Sequence, residues 1–172
     1  MRRLSNALLA GALAVGVIAA PAAAKQPDMS GKNIVDTAIA LNSNPASPYF
    51  QKFDTLISLV VDLELVDALS ARGQLTVFAP TDMAFDRLFA KLTPAQIAGL
   101  TPDVLTDIVL FHVAKGNRDA AEVLGSSQIR MLNGDFAMVD ASKVTIDGAA
   151  IEFVNVPASN GIIHVVSDVL LP

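Results

Sequence analysis

The chain has 172 residues with 12 Lys and Arg, 17 Asp and Glu, two His and no Cys, and its formal net charge is −5. This length favours one domain or at most two, and 52% hydrophobic against 17% charged residues is too apolar for a disordered protein. The lack of Cys excludes disulfides, thiolate catalysis and thiolate metal ligands.

Residues 1–24 have the pattern of a secretory signal peptide. Arg2 and Arg3 precede an uncharged apolar run from Ala7 to Ala20, and small residues follow up to Ala24. The apolar run is shorter than the ~20 residues that span a membrane, so cleavage near Ala24 is expected rather than anchoring. The sequence therefore predicts an exported protein, periplasmic or secreted, with no integral membrane segment in the mature chain.

The predicted mature chain is acidic. Without residues 1–24 it carries 10 Lys and Arg against the same 17 acids, which is a net charge of −7. Such a surface repels phosphate backbones, so we predict no nucleic-acid partner.

The first half of the mature chain has helical periodicity. After a polar lead-in at residues 25–32, apolar spacing predicts a helix capped by Asn33 and a second helix from Phe53 to Val61. A third, short helix is expected to end near Gly73. The β-rich run from Leu75 to Ala79 then predicts an early strand.

Helix-start signals follow this strand. Pro80 ends it, and Thr81 has the chemistry of an N-cap with Asp82 in the first turn. Thr93 opens a capping box, and Thr101 repeats the Thr-Pro start ahead of a further helix.

The second half changes to a period of two with frequent turn pairs. Asn133-Gly134 predicts a hairpin with a type I′ turn, and Asp147-Gly148 predicts another hairpin. Ile162 to Val166 is a final β-branched strand. Helices that precede most of the strands indicate an α+β fold rather than alternating βαβ units.

Three segments together resemble the motifs of the fasciclin domain family. Residues 76–85, TVFAPTDMAF, are similar to its first homology motif. Residues 111–113, FHV, resemble its central Tyr-His element, with Phe111 in the Tyr place. Residues 160–166, NGIIHVV, followed by DVLLP at 168–172, resemble its second motif.

The resemblance covers residues 33–172 and implies one fasciclin domain, an α+β fold with a compact β-wedge flanked by several α-helices. It implies an extracellular or periplasmic protein linked to adhesion or matrix contact, and not an enzyme. The motif residues to which it gives a structural role are Thr76, Phe78, Pro80, Thr81, Asp82, Phe85, His112, Asn160, Gly161, Ile163 and His164.

The resemblance also indicates one candidate partner contact. In some animal members, an Asp-Ile pair just before the second motif is tied to receptor binding. The matching positions here are Asn155 and Val156, which lack the acidic group. This departure argues against animal-type receptor binding.

The two histidines are predicted to be structural. His112 follows an apolar helical stripe and His164 lies within an apolar strand, and no third histidine or H-E-x-x-H motif accompanies them. We expect both to be buried and hydrogen-bonded, with one of them bonded to the helix start at Thr81 and Asp82. No catalytic residue, metal site or cofactor is predicted.

Two functions remain open at this point. The first is an interaction or adhesion module that binds an envelope or matrix protein or glycan, mostly as a monomer because no anchor or tandem copy is recognised in the sequence. The alternative is a carrier of a small apolar ligand or lipid, with a groove between helix and sheet. Burial of Phe78, Phe85 and Ile163 is expected in either case.

Overall fold

The computed structural model describes residues 31–71 and 73–172, so the predicted signal peptide and most of the lead-in lie outside the described residues. Helices are concentrated in the first half and strands in the second, which confirms the α+β class. The helices are α1 (Ile34–Ser43), α2 (Asp54–Asp62), α3 (Val66–Ser70), α4 (Asp82–Lys91), α5 (Pro94–Ala98), α6 (Pro102–Phe111) and α7 (Ala120–Gly125). The strands are β1 (Leu75–Pro80), β2 (Val113–Lys115), β3 (Gln128–Arg130), β4 (Phe136–Asp140), β5 (Thr145–Ile146), β6 (Ala149–Ala158) and β7 (Gly161–Val166).

The strands form one mixed sheet with the order β2-β1-β7-β6-β5-β4-β3. All neighbours are antiparallel except β1 and β7, which run parallel from the Leu75–Gly161 pair to the Pro80–Val166 pair. The parallel pairing sets residues of the first and second homology motifs side by side in the sheet.

The two edges of the sheet meet. Ala114 of β2 forms a bridge with Met131, just after β3, and the N–H of Leu132 donates to the carbonyl of Val113 over 2.7 Å. The sheet therefore curls round an inner core, to which Phe78, Ile129, Ile146 and Val166 belong. A second, outer core lies between the other face of β1 and β7 and a layer of helices that includes α1 to α3.

Most of the local signals in the sequence form as predicted. The side-chain oxygens of Asn33, Thr93 and Thr101 accept capping bonds from N–H groups of the first turns of α1, α5 and α6. Asp147 and Gly148 both adopt the positive φ that a type I′ turn requires, so this hairpin prediction is confirmed.

The predicted type I′ turn at Asn133-Gly134 is wrong. Gly134 has a positive φ but Asn133 does not, and five residues separate the paired ends of β3 and β4. The reason is local hydrogen bonding, because the side-chain oxygen of Asn133 accepts from the N–H of Asp135 over 3.1 Å. The N–H of Met131 also donates to the Asp135 carbonyl and closes the longer loop.

Candidate functional site

The first motif ties strand β1 to the loop after β2. The hydroxyl of buried Thr76 donates to the carbonyl of Gly116 over 2.8 Å and accepts from the N–H of Arg118 over 2.9 Å. Because this one hydroxyl both donates and accepts, it fixes the path of residues 116–118 against β1.

The aromatic and aliphatic residues of the motifs form the core. Phe78, Phe85 and Ile163 are all buried, as the sequence predicts. The ring of Phe78 stacks on the imidazole of His164, with ring centroids 5.6 Å apart. Pro80 is the last residue of β1.

The start of α4 differs from the expectation. Thr81 holds the N-cap position, but its side chain makes no capping bond. The neighbouring Asp82 carboxylate instead accepts from the N–H groups of Asp54 (3.1 Å) and Thr55 (2.7 Å). These groups begin α2, whose own N-cap residue is an apolar Phe53, so a carboxylate from another helix supplies the missing acceptor.

Asn160 and Gly161 join β7 to the helices. The side-chain oxygen of Asn160 accepts from the N–H of Ile34 and its amide donates to the carbonyl of Leu69, both over 2.8 Å. A Cβ on Gly161 would collide with the carbonyl oxygen of Leu75. Glycine is thus required here chiefly for close strand approach.

His112 is buried at the end of α6, and both of its ring nitrogens are engaged. The backbone N–H of Leu170 donates to Nε2 over 2.9 Å, so Nε2 is unprotonated. Nδ1 then carries the proton and donates to the carbonyl of Ile108 over 2.7 Å. Burial lowers the pKa of His112 from 6.5 to about 4, against the opposing effect of the Ile108 carbonyl.

His164 is engaged in the same way with the other tautomer. Its Nδ1 accepts from the backbone N–H of Asn155 over 3.4 Å, and its Nε2 donates to the carbonyl of Arg118 over 3.0 Å. Burial lowers its pKa below the ordinary value, although the Arg118 carbonyl and the charge of Asp119 act in the opposite direction.

Both histidines are therefore buried and hydrogen-bonded, as predicted, but the partner predicted for one of them is wrong. Neither imidazole bonds Thr81 or Asp82, because all four ring nitrogens are taken by the backbone groups given above. His112 ties α6 to the C-terminal segment, and His164 ties β7 to Asn155 of β6 and to Arg118 in the loop after β2.

One member of the candidate contact pair lies at the surface. Val156 is only 3% exposed and pairs with Ile163, so its side chain is not available to a partner in this conformation. Asn155 is exposed, has a φ of 60°, and accepts the N–H of Ala120 on its side-chain oxygen over 2.9 Å. Asn155 lies in an irregular stretch of β6, where the register of the pairing with β7 shifts.

The residue that sequence reasoning missed is Arg118. Among the described residues it forms no ion pair, and its buried Nε has no hydrogen-bond partner. It lies 46 residues before His164, so no local motif places it beside that histidine. We define His164, Arg118 and Asn155 as the His164 loop site, in which a buried imidazole bonds the backbone of the exposed Asn155 and of the half-buried Arg118.

An apolar cavity lies between helices α1 to α3 and the sheet, where the carrier alternative expects a groove. Its volume is about 40 Å³, and its lining is aliphatic apart from His112. This is room for only a few water-sized groups, far less than a lipid chain occupies.

Comparison with known proteins assigns the family. The fasciclin domain model matches residues 51–172, which is well over half of the chain, and the chain therefore belongs to the fasciclin domain family. The fold agrees with a FAS1 domain pair from the insect cell adhesion molecule fasciclin I, with a TM-score of 0.62, 16% sequence identity, and coverage of 83% of this chain and 51% of that one. This chain thus spans about half of that domain pair.

Relatives by sequence occur in bacteria and animals. The chain is 39% identical over 125 residues to the protein sll1483 of Synechocystis sp., covering 71% of this chain and 68% of that protein. It is 32% identical over 114 residues to the cell surface glycolipoprotein MPB83 of Mycobacterium bovis, covering 64% and 49%. It is 29% identical over 146 residues to the transforming growth factor-beta-induced protein ig-h3 of Sus scrofa, covering 81% and 21%. Fasciclin domains thus occur in cell-adhesion and surface proteins.

Proposed function

We propose that this chain is an exported interaction module that binds an envelope or matrix protein or glycan and catalyses no reaction. One observation carries the proposal: both histidines of the chain have both ring nitrogens bonded to the backbone. An imidazole in this state is not free to act as a general base or a metal ligand, because each function needs an unengaged nitrogen. His164 acts through the residues whose backbone it bonds.

The surface proposed to bind is the His164 loop site. Asn155 of β6 and Arg118 of the loop after β2 are far apart in sequence, and His164 bonds the backbone of both residues. A site that is fixed before binding loses less conformational entropy when the partner arrives. Asn155 also occupies the position that the resemblance links to partner contact in some animal members.

Export is the second part of the proposal. It is supported by the charged start, apolar run and small residues of positions 1–24, and by a relative named as a cell surface protein. Among residues 31–71 and 73–172, no helix is long and apolar enough to cross a bilayer.

Export is tested by expressing the full chain in a Gram-negative host and fractionating the cells. Mass spectrometry of the recovered protein should show an N-terminus at Lys25 and recovery from the periplasm or medium. An uncleaved chain that stays in the cytoplasm would overturn this part of the proposal.

Binding is tested by chemical crosslinking of the mature protein in envelope extract, followed by affinity recovery. The variant Asn155→Gly tolerates the φ of 60° but lacks the side chain, so we expect the crosslinked partner to be lost. Asn44→Gly is the matched control, because it also removes a side-chain amide oxygen that accepts a backbone N–H. Equal recovery by both variants would exclude the His164 loop site as the contact.

The monomeric state is also a proposal, supported by the acidic surface of the mature chain. Light scattering at micromolar concentration should give the mass of a single chain. A stable dimer there would contradict it and would make bridging between surfaces feasible by multivalent binding.

A further inference from the structure

The outer side of the curled sheet exposes two large apolar side chains that the family motifs do not include. Phe136 is 51% exposed and Met138 is 58% exposed. They flank Ala137 on β4, which is fully buried in the inner core, so strand alternation sets both of them on the opposite, outer face. Large apolar side chains in adjacent outward positions leave an apolar patch facing solvent.

Two cations lie in register with this patch. The antiparallel bridge between Ala114 and Met131 sets Lys115 opposite Arg130, and Arg130 in turn pairs with Phe136. Lys115 and Arg130 are both exposed. Because like charges directly opposite each other on neighbouring strands repel, this arrangement costs stability unless an anion lies between them.

The described part of the chain supplies no such anion. Its ion pairs are Arg87 with Asp168 and Lys143 with Asp140, and neither includes Lys115 or Arg130. Asp135 is the acid next to Phe136 in the sequence, but the amide of Asn133 donates to its carboxylate over 3.0 Å within the turn. Arg130 has only a long contact of 3.4 Å from its Nε to the carbonyl of Gly134.

We propose that this basic-apolar face, made of Lys115, Arg130, Phe136 and Met138, docks an acidic polypeptide segment of another protein. A carboxylate of that segment lies between Lys115 and Arg130 and relieves their repulsion. An apolar side chain next to that carboxylate packs on Phe136 and Met138. The face is separate from the His164 loop site, so the inference goes beyond the proposed function.

The chemistry of the face favours a polypeptide over a membrane or a polysaccharide. Two opposed cations match one carboxylate, whereas an anionic membrane is a plane that would also meet the acidic remainder of a chain with net charge −7 after residue 24. Exposed Phe136 and Met138 call for apolar side chains, which an acidic polysaccharide lacks.

The test uses a random copolymer of glutamate and tyrosine, immobilised for biolayer interferometry. The mature protein should bind the copolymer at low ionic strength and bind more weakly as salt is added. Vesicles of phosphatidylglycerol and immobilised alginate are measured in parallel. Stronger binding to either one than to the copolymer, or no binding to the copolymer, would overturn the proposal.

Matched variants locate the face. Lys115→Glu with Arg130→Glu should weaken copolymer binding about tenfold or more, since each lost charge contact is worth on the order of a few-fold to tenfold. Lys52→Glu with Lys91→Glu changes the net charge equally at two other exposed lysines and should retain most of the binding. Equal losses in the two double variants would show a bulk charge effect and contradict a specific face.

A second pair of variants tests the apolar part without any change of charge. Met138→Ser should weaken binding several-fold, whereas Met83→Ser, at a residue that is 62% exposed on α4, should not. This pair decides the question even if the double charge variant fails to fold, and equal behaviour of the two would sink the proposal. Asn155→Gly should bind the copolymer like the unmodified protein, which separates this face from the His164 loop site.

Discussion

The imidazole of His112 accepts a hydrogen bond from the backbone N–H of Leu170, 58 residues further along the chain, over 2.9 Å. Protonation of Nε2 would replace this acceptor with a donor that faces another donor. Folding therefore favours the neutral ring, and burial lowers the pKa from 6.5 to about 4.

The first prediction concerns pH. Because the unfolded chain takes up a proton near pH 6.5 and the folded chain near pH 4, stability is full above 6.5 and falls as the pH drops from 6.5 towards 4. Below that range this group costs no further stability. The loss from His112 is about 3 kcal/mol, and His164 acts in the same direction. Urea unfolding at several pH values across this range measures the change in the free energy of unfolding.

A matched variant separates this effect from general acid unfolding. His112→Gln lacks the titrating ring, so we expect lower stability at neutral pH but a flatter dependence on pH between 6.5 and 4. An unchanged slope in His112→Gln would show that other groups cause the loss. Asp140 acts below this range, because its stabilising charge is lost as the pH falls from the ordinary pKa of 3.8 to the pKa of about 2 that the Ser142 hydroxyl, followed by Lys143, gives it in the folded chain.

The second prediction concerns the approach of β7 to β1. Gly161→Ala would drive a Cβ into the carbonyl of Leu75, so strand β7 or β1 must shift, at a cost of about 2 kcal/mol or more. Gly125→Ala is the control, because a Cβ there meets no atom within 4 Å. Thermal unfolding gives the midpoint of each variant, and we expect the lower midpoint for Gly161→Ala. Equal midpoints would refute the close approach of β7 to β1.

The third prediction concerns the cap that α4 provides for α2. Asp82→Ala leaves the N–H groups of Asp54 and Thr55 without their acceptor and should cost about 1–2 kcal/mol. Thr81→Val should cost less, because the Thr81 side chain makes no capping bond. If urea unfolding shows the larger loss for Thr81→Val, the cap is assigned to the wrong residue.

The fourth prediction compares two phenylalanines on α4. Phe85 is 6% exposed and Phe89 is 40% exposed, with ring centroids 6.4 Å apart. Phe85→Ala should cost about 3–5 kcal/mol, and Phe89→Ala should cost clearly less because its ring is already partly hydrated. Similar unfolding free energies for both variants would mean that Phe85 is not a core residue.

Much of the secondary structure could be predicted from local signals in the sequence. The caps at Asn33 and Thr93 and the turn at Asp147-Gly148 form as predicted, because each depends on residues that are close in sequence. Asn133-Gly134 failed because an Asn side chain offers its own backbone a competing hydrogen bond.

The remainder depends on contacts between distant residues. No pattern of neighbouring residues in the sequence predicts three of these contacts. They are the parallel pairing of Leu75 with Gly161, the Ala114–Met131 bridge that closes the sheet, and the Asp82 cap on α2. The resemblance to the family indicated the position of Asn155. Arg118 was identified only from the fold, because its contact with His164 joins distant residues. The burial of both histidines was predictable from their apolar surroundings, but their partners were not.

The structural role of the two histidines is tested most directly by ¹⁵N NMR of both imidazoles as a function of pH. We expect each ring to hold a single neutral tautomer, with the proton on Nδ1 in His112 and on Nε2 in His164. His112 should stay neutral down to about pH 4, and His164 should titrate below its ordinary value. An imidazole that averages between tautomers and titrates near pH 6.5 would be free of its backbone partners, and would contradict the structural role on which the proposed function rests.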